Sequence, residues 1–343
     1  MDTAERVDLV SRYTEEVVTE EELEELLAEE SPSAYIGYAP TGEMHIGHFT
    51  TIRKLADFIE AGIDVTVLIA DLHAHLDSEK SPWDLLDART EYYQEAIRGM
   101  LDAAGADPEA VEFVRGRDFQ LSEEYTLDMY RMAAETTVAR AQRAGSEVVR
   151  ESDSPNLGGL IYSLMQSLDV KALDADIAYG GIDQRGIYML GRELLPDHGG
   201  EAPVCLFAPL LSGLSGGKMS ASEASSKVNL NDSPDEVTEK INGAYCPQGE
   251  VEDNGVLEYM RYLVFPVLDE QGESFVIERP EEYGGNVSFD SYEELEEAFL
   301  DGLHPQDLKN AAGEYISDVI DPIRERLDDQ PELLEEAYPE KYA

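Results

Sequence analysis

Two periods of apolar residues alternate along this chain, and each change of period marks an element. Residues 1–32 read as helical. Within them Thr19-Glu-Glu-Glu22 has the form of a capping box, followed by Leu23, Leu26 and Leu27 on one face and glutamates on the other. The apolar run 34–39 predicts a buried strand, ended by Pro40 and Gly42. From Phe49 to Ile59 apolar positions return at helical spacing, and Gly62 supplies a C-terminal stop. The run 65–70 predicts the next strand. Strand, turn, helix and strand in that order make a βαβ unit, whose default consequence is a parallel sheet.

From Ser81 to about Arg150 the pattern is mostly helical, with helices predicted over 83–102 and 127–143 and a short apolar segment at Val111–Val114. Such a block is either an insertion that builds a dimer face or helical cladding of the sheet. Residues 161–170 predict another helix, 187–194 a further one, and 204–208 a strand. A loop rich in glycine and serine follows, Leu214-Ser-Gly-Gly-Lys-Met-Ser-Ala-Ser222. Beyond Ser226 the texture becomes helical, opened by Asp232-Ser-Pro-Asp-Glu236, so a domain boundary is expected near residue 225.

Charge changes the picture. Asp and Glu total 74 against 25 Lys and Arg, a net of -49, while the apolar fraction stays at 42%. The acids are spread along amphipathic segments, which predicts an ordered protein with an acidic surface rather than a disordered chain. Self-repulsion at this charge opposes compaction in dilute buffer. At molar salt the Debye length falls to about 3 Å and the penalty fades, so a salt-adapted protein is expected. Cys205 and Cys246 form no CxxC or Cys/His cluster, so neither a disulfide framework nor a zinc site is suggested. With an acidic N-terminus and no run long enough for a membrane span, the expected compartment is the cytoplasm.

The chemistry gathers at two places. His45 and His48 lie three apart where the first strand hands over to its helix, so both imidazoles can face one ligand. Free backbone N–H groups and the helix dipole attract phosphate there, and Gly47 permits close approach. No third ligand stands nearby for a metal. The second place is Gly216-Gly-Lys218-Met-Ser220, a cation on a glycine-flanked loop suited to a polyphosphate leaving group. It is not a P-loop, because no GxxxxGK[ST] precedes a helix.

Taken together, Pro40-x-Gly42-x-x-His45-Ile-Gly-His48 and Lys218-Met-Ser-Ala-Ser222 resemble the HIGH and KMSKS signatures of class I aminoacyl-tRNA synthetases. Over nearly all of residues 30–330 the chain resembles the tyrosyl-tRNA synthetases of the archaeal and eukaryotic type. The resemblance implies a Rossmann-type α/β domain over 1–225, with a helical insertion at about 77–155, followed by an all-helical anticodon-binding domain over 226–343. It implies activation of tyrosine by ATP with Mg2+, transfer to tRNA(Tyr), and a homodimer. His45, His48 and Lys218 would then be catalytic, and Gly47, Gly181, Asp183, Met219 and Ser220 would meet ATP. The Tyr162-x-x-x-Gln166-x-x-Asp169 stripe, with Tyr35, Gly37, His73 and Gln184, would line the tyrosine pocket. Asp169 and Tyr35 would bind the phenolic hydroxyl; Tyr162 and Gln166 would bind the α-amino group. Arg143 and Arg185 would meet the acceptor end of tRNA, and Tyr283, His304 and Asp307 an anticodon base. Two positions depart from the common pattern: Ala221 stands where many class I enzymes have a second lysine, and Gly186 where a basic residue often stands. The rival readings are a tryptophanyl-tRNA synthetase, a synthetase-like RNA-binding protein without activation chemistry, and a small-molecule adenylyltransferase.

Overall fold

The computed structural model describes residues 1–28, 31–77, 81–148, 156–217, 219 and 224–342. Six strands form one sheet: β1 (Glu16–Val18), β2 (Ser33–Tyr38), β3 (Asp64–Ile69), β4 (Val111–Arg115), β5 (Ile177–Gly181) and β6 (Val204–Ala208), in the order β1-β6-β5-β2-β3-β4. All neighbouring pairs are parallel except β1 with β6. The helices of this part are α1 (Thr3–Ser11), α2 (Glu20–Leu27), α3 (Ile46–Glu60), α4 (Asp71–Leu76), α5 (Leu86–Ala103), α6 (Gly116–Gln120), α7 (Glu123–Glu135), α8 (Val138–Ala144), α9 (Leu157–Ala172) and α10 (Arg185–Leu194). Beyond residue 225 follow α11 (Pro234–Gly243), α12 (Gly255–Tyr259), α13 (Phe265–Gln271), α14 (Tyr292–Leu300), α15 (Pro305–Asp328), α16 (Pro331–Ala337) and α17 (Pro339–Tyr342).

Alternation along the strands sends side chains to two cores. Ile36, Val67, Tyr179 and Leu206 face one, where Phe49 and Phe58 of α3 and Ile97 of α5 pack. Tyr35, Leu68, Ala178 and Phe207 face the other, against Leu168 of α9 and Tyr188 of α10. The first core runs without a break past residue 225, because Ile316 and Ile320 of α15 belong to it. β2 has β3 on one side and β5 on the other, so the strand order reverses between β2 and β5. In open α/β sheets a crevice opens at that point, beyond the carboxyl ends of the strands.

The βαβ unit, the capping box at Thr19 and the helix opened by 232–236 are as the sequence predicts, and Ser233 proves to cap that helix with a box of its own. Other elements differ. Residues 1–32 are not wholly helical, since Glu16–Val18 is the antiparallel edge strand. The block at 77–155 is not a purely helical insertion, because Val111–Arg115 pairs along its whole length with β3. The helix predicted over 127–143 is two: Thr136 is extended, and the Thr137 hydroxyl caps α8 by accepting from Arg140 N at 3.3 Å. Two adjacent β-branched threonines favour this break and cap over continued helix. The C-terminal region is helical and also carries a two-stranded antiparallel ribbon, β7 (Phe275–Ile277) with β8 (Val287–Phe289).

An ion cluster ties α3 to the elements around it. Asp57, 1% exposed, accepts from Arg53 Nη2 and Lys54 Nζ at 2.9 Å and from Arg12 Nη2 at 2.6 Å. Arg53 also donates to Glu270 of α13 at 2.8 Å. Burial pushes the Asp57 carboxyl up, yet Arg12, Lys54 and Arg53 together hold it below the usual carboxylate range. Asp57→Ala would leave two buried cations without their shared carboxylate. A loss of about 3–5 kcal/mol in urea unfolding is expected.

Candidate active site

A cavity of about 360 Å3 opens at the reversal of strand order. That is within the range of small-molecule sites. It is lined by Tyr35, Gly37, His73, Tyr162, Gln166, Asp169 and Gln184, the expected amino-acid pocket, and by His45, Gly47, His48, Gly181, Asp183 and Met219, the expected nucleotide contacts. Lys218 and Ser220 lie outside the described residues.

The deep part is built on α9, which turns Tyr162, Gln166 and Asp169 toward the sheet on one face. Asp169, 1% exposed, accepts at Oδ1 from the Tyr125 hydroxyl at 2.7 Å and from Gln120 Nε2 at 2.8 Å. Among the described residues its Oδ2 has no hydrogen-bond partner, and neither has Gln166 Oε1. His73 Nε2 stands 3.7 Å from Asp169 Oδ2, and its ring lies edge-on to Tyr162 with centroids 4.7 Å apart. Gln166 is oriented by donating Nε2 to Gln184 Oε1 at 2.6 Å. Buried acceptors are costly to leave unpaired. Two of them converging on one cavity call for a ligand that brings donors. Burial pushes the Asp169 carboxyl up to about 7, against the hydrogen bonds from Gln120 and Tyr125. Burial likewise takes His73 down to about 4, so that ring is neutral.

The outer part is the turn from β2 into α3, and here the two histidines cap their own helix. His45 is the N-cap residue; its Nδ1 accepts from Gly47 N at 3.2 Å, while His48 Nδ1 accepts from His45 N at 3.1 Å. A ring nitrogen that accepts carries no proton, so each Nε2 is the protonated donor. Burial, reinforced by the neighbouring His48 and Lys227, takes His45 well below its ordinary value; burial and Lys227 take His48 to about 4. Both rings are therefore neutral at pH 7 and still donate. A Cβ at Gly47 would come within 3.1 Å of the His45 ring and 3.4 Å of Met219 Sδ. A Cβ at Gly181 would come within 2.6 Å of Asp183 Oδ1. At both positions a side chain would displace a neighbour that lines the cavity, the His45 ring at Gly47 and the Asp183 carboxylate at Gly181.

The segment after the glycine-serine loop is laced to the histidine turn. Ile46 N donates to Val228 O at 3.0 Å, and His45 pairs with Asn229 in an antiparallel bridge. With Met219 against Gly47, the two signature segments are neighbours in space. Sequence reasoning missed Gln120 and Tyr125, which orient Asp169, and Lys227, 8% exposed, whose charge is felt by both imidazoles.

The expected RNA contacts fall at two remote places. Arg185 opens α10, is exposed, and is paired with Glu16 at 2.8 Å; Arg143 is exposed on α8. These helices touch where a Cβ at Gly186 would meet Ala144 O at 2.5 Å, which is why no basic side chain fits at Gly186. His304 caps α15, accepting from Gln306 N at 3.1 Å. Asp307 faces Arg279 at 3.7 Å, and Arg279 donates Nε to Gly285 O at 3.1 Å, which ties the 279–286 loop to the start of α15. Tyr283 ends a short turn of that loop, and its side chain lies outside the described residues.

Comparison with known proteins follows the same lines. The sequence profile of the class I tRNA synthetases (W and Y) matches residues 27–320. A tyrosine–tRNA ligase of Haloarcula marismortui is 77% identical over 343 residues, covering 100% of this chain and 99% of the other. The crystal structure of a tyrosyl-tRNA synthetase of Archaeoglobus fulgidus, complexed with L-tyrosine, superposes with a TM-score of 0.88 at 44% identity, over 95% of this chain and 100% of that one. A tryptophanyl-tRNA synthetase of Giardia lamblia shares the fold, with a TM-score of 0.69 at 18% identity, over 92% of this chain and 84% of that one.

Proposed function

The chain belongs to the class I tRNA synthetases of the tryptophan and tyrosine group, and from that premise we propose how its residues divide the work of a tyrosine–tRNA ligase. It activates tyrosine with ATP and passes the tyrosyl group to tRNA. The tyrosine carboxylate attacks the α-phosphate, tyrosyl-adenylate forms and pyrophosphate leaves; a ribose hydroxyl of the terminal adenosine of tRNA(Tyr) then takes the tyrosyl group. No side-chain nucleophile is needed. Catalysis rests on orientation and on stabilising charge.

What carries the residue assignment is the pair of unpartnered acceptors. Asp169 Oδ2 takes the phenolic hydroxyl of tyrosine, and Gln166 Oε1 takes its ammonium. An indole would leave the Asp169 side to Nε1–H at a different reach, and phenylalanine would leave it empty. His45 and His48 donate from Nε2 to the ATP phosphates, and Lys218 meets the departing pyrophosphate. Gly47, Gly181, Asp183, Met219 and Ser220 flank the nucleotide. Magnesium enters with ATP on its phosphate oxygens; among the described residues no group of three acidic, histidine or cysteine side chains is arranged to hold one.

Residues 1–225 form the catalytic unit, with the largely helical block at about 77–155 contributing β4 to its sheet, and residues 226–343 read the anticodon through Tyr283, His304 and Asp307 by stacking and base-edge hydrogen bonds. Arg143 and Arg185 meet the acceptor end. The chain works as a homodimer: Leu121, Tyr130, Val138 and Leu157, each at least 66% exposed, lie within one 37-residue stretch, which suits an interface. The acidic surface suits a cytosol rich in salt, and no helix among the described residues is long and apolar enough to cross a membrane.

Tyrosine-dependent ATP–pyrophosphate exchange in molar KCl tests the assignment, with tryptophan and phenylalanine as controls. Exchange with tyrosine alone is expected; exchange driven better by tryptophan would overturn the pocket assignment. The same assay reads pH dependence. A phenol donates most strongly to Asp169 while the carboxyl is ionised, and its midpoint lies at about 7. The KM for tyrosine should therefore rise from pH 8 to pH 6, by up to about tenfold, while the KM for ATP does not follow it.

A further inference from the structure

Residues 337–342 return to the histidine turn from the far end of the chain. The Glu43 side chain, 14% exposed, accepts from Lys341 Nζ at 2.7 and 3.0 Å, from the Tyr342 hydroxyl at 2.5 Å and from Asn231 Nδ2 at 3.1 Å. Glu43 stands two residues before His45. Asn231 stands two residues beyond the bridge that joins His45 to Asn229. One carboxylate thus joins the turn, the segment after the glycine-serine loop, and the tail.

The backbone around Glu43 is held as well. Arg89 of α5 donates Nε to Ala337 O at 3.0 Å and Nη1 to Thr41 O. The Tyr93 hydroxyl donates to Gly42 O at 2.8 Å, and Met44 N donates to the Tyr92 hydroxyl at 3.1 Å. Tyr92 in turn meets Tyr338 edge-on, ring centroids 5.1 Å apart.

We propose that Lys341 and Tyr342 are positioning residues for the ATP step, holding and neutralising Glu43 so that the turn is set for phosphate. Two physical effects act together. The hydrogen bonds from Lys341 and Tyr342 fix the side chain of the residue that links the Pro40–Gly42 loop to the histidine turn. The ammonium also cancels a carboxylate that would otherwise repel a polyphosphate arriving at the helix N-terminus. This rests on the assignment of His45 and His48 to the ATP phosphates.

The test is ATP–pyrophosphate exchange at varied ATP and at varied tyrosine in molar KCl, with melting temperatures recorded for each variant. Lys341→Ala/Tyr342→Phe should raise the KM for ATP about tenfold and lower kcat, with the KM for tyrosine within twofold of the parent. Lys341→Arg should retain most of the ATP affinity. Glu43→Gln placed in the Lys341→Ala background should recover part of it, because the repelling charge is then gone. A double variant that melts like the parent and keeps the parent's ATP dependence would overturn the proposal, as would an equal weakening for both substrates with a lowered melting temperature. His45→Ala is the control. If it leaves both kcat and the KM for ATP unaltered, the assignment of the turn fails; if either is altered and the double variant keeps both, only the tail's part fails.

Discussion

Asp169→Asn is expected to lower kcat/KM for tyrosine by about 100-fold and to erase most discrimination against phenylalanine. The reason lies in how its two oxygens are used. Oδ1 already accepts from the Tyr125 hydroxyl and from Gln120 Nε2. An asparagine must keep its oxygen there, which turns its NH2 toward the cavity where Oδ2 was. The phenolic hydroxyl then meets a donor and must send its own proton elsewhere. Losing a charge-assisted hydrogen bond costs about 1.5–3 kcal/mol, and leaving a donor misdirected adds to it. Phenylalanine loses nothing, since it never used Oδ2, so the two amino acids converge.

The same substitution should not unfold the protein. The Asp169 pKa of about 7 lies above the ordinary carboxylate value, so between about pH 4 and 7 the folded state holds a proton that the unfolded state releases. Its contribution to stability is present at low pH and lost as pH rises through 7. The asparagine variant carries no such charge, so its melting temperature at pH 8 should equal or exceed the parent's. Steady-state exchange beside a thermal melt at pH 8 checks both halves. A variant with near-parental kcat/KM would mean that the phenol is held elsewhere.

What could be read from the sequence was what is local in the chain. The β2 strand, its proline-glycine exit and the α3 periodicity sit within thirty residues, and the spacing of His45 and His48 at a helix start already implied a shared ligand. The Tyr162, Gln166 and Asp169 stripe was visible for the same reason: helical spacing fixes which side chains share a face. Gln120 and Tyr125 were not visible. They reach Asp169 across 49 and 44 residues, and nothing in a Gln or Tyr near a helix end says which distant carboxylate it will meet. Lys227 sat in a serine-rich stretch with no periodicity, and only its place beside the histidine turn gives it meaning. Short elements escaped for another reason. β1, β7 and β8 have three residues each, too few to express an alternation against their helical surroundings. The strand at Val111–Arg115 was seen as apolar but not as part of the sheet, since pairing to β3 depends on where α5 delivers the chain.

His45→Ala and His48→Ala should each lower kcat for exchange by about 100-fold, with the KM for tyrosine within threefold of the parent. Each removes one preorganised donor at the developing phosphate charge, a change worth about 10²–10³ in comparable sites. The two losses should not multiply fully, because both rings act on one group. Each histidine also has a second task as a helix cap, worth about 1 kcal/mol, so a frayed α3 would also lower the rate unless the tasks are separated. Two isosteres separate them. Asparagine at 48 can offer its oxygen where Nδ1 accepts from His45 N, which keeps the cap and removes the outer donor. Glutamine at 48 can carry an N–H out to where Nε2 stood but cannot accept at the cap at the same time. The expected result is parental melting with poor kcat for His48→Asn, and weaker melting with partly recovered kcat for His48→Gln. The opposite pattern would make the histidine a cap and nothing more. The pH profile adds an independent reading. His48 lies at about 4 and His45 well below its ordinary value, so neutral rings are the working form. At saturating tyrosine and ATP, kcat should stay flat from pH 6 to 8; a fall with rising pH through 6–7 would mean that an imidazolium does the work.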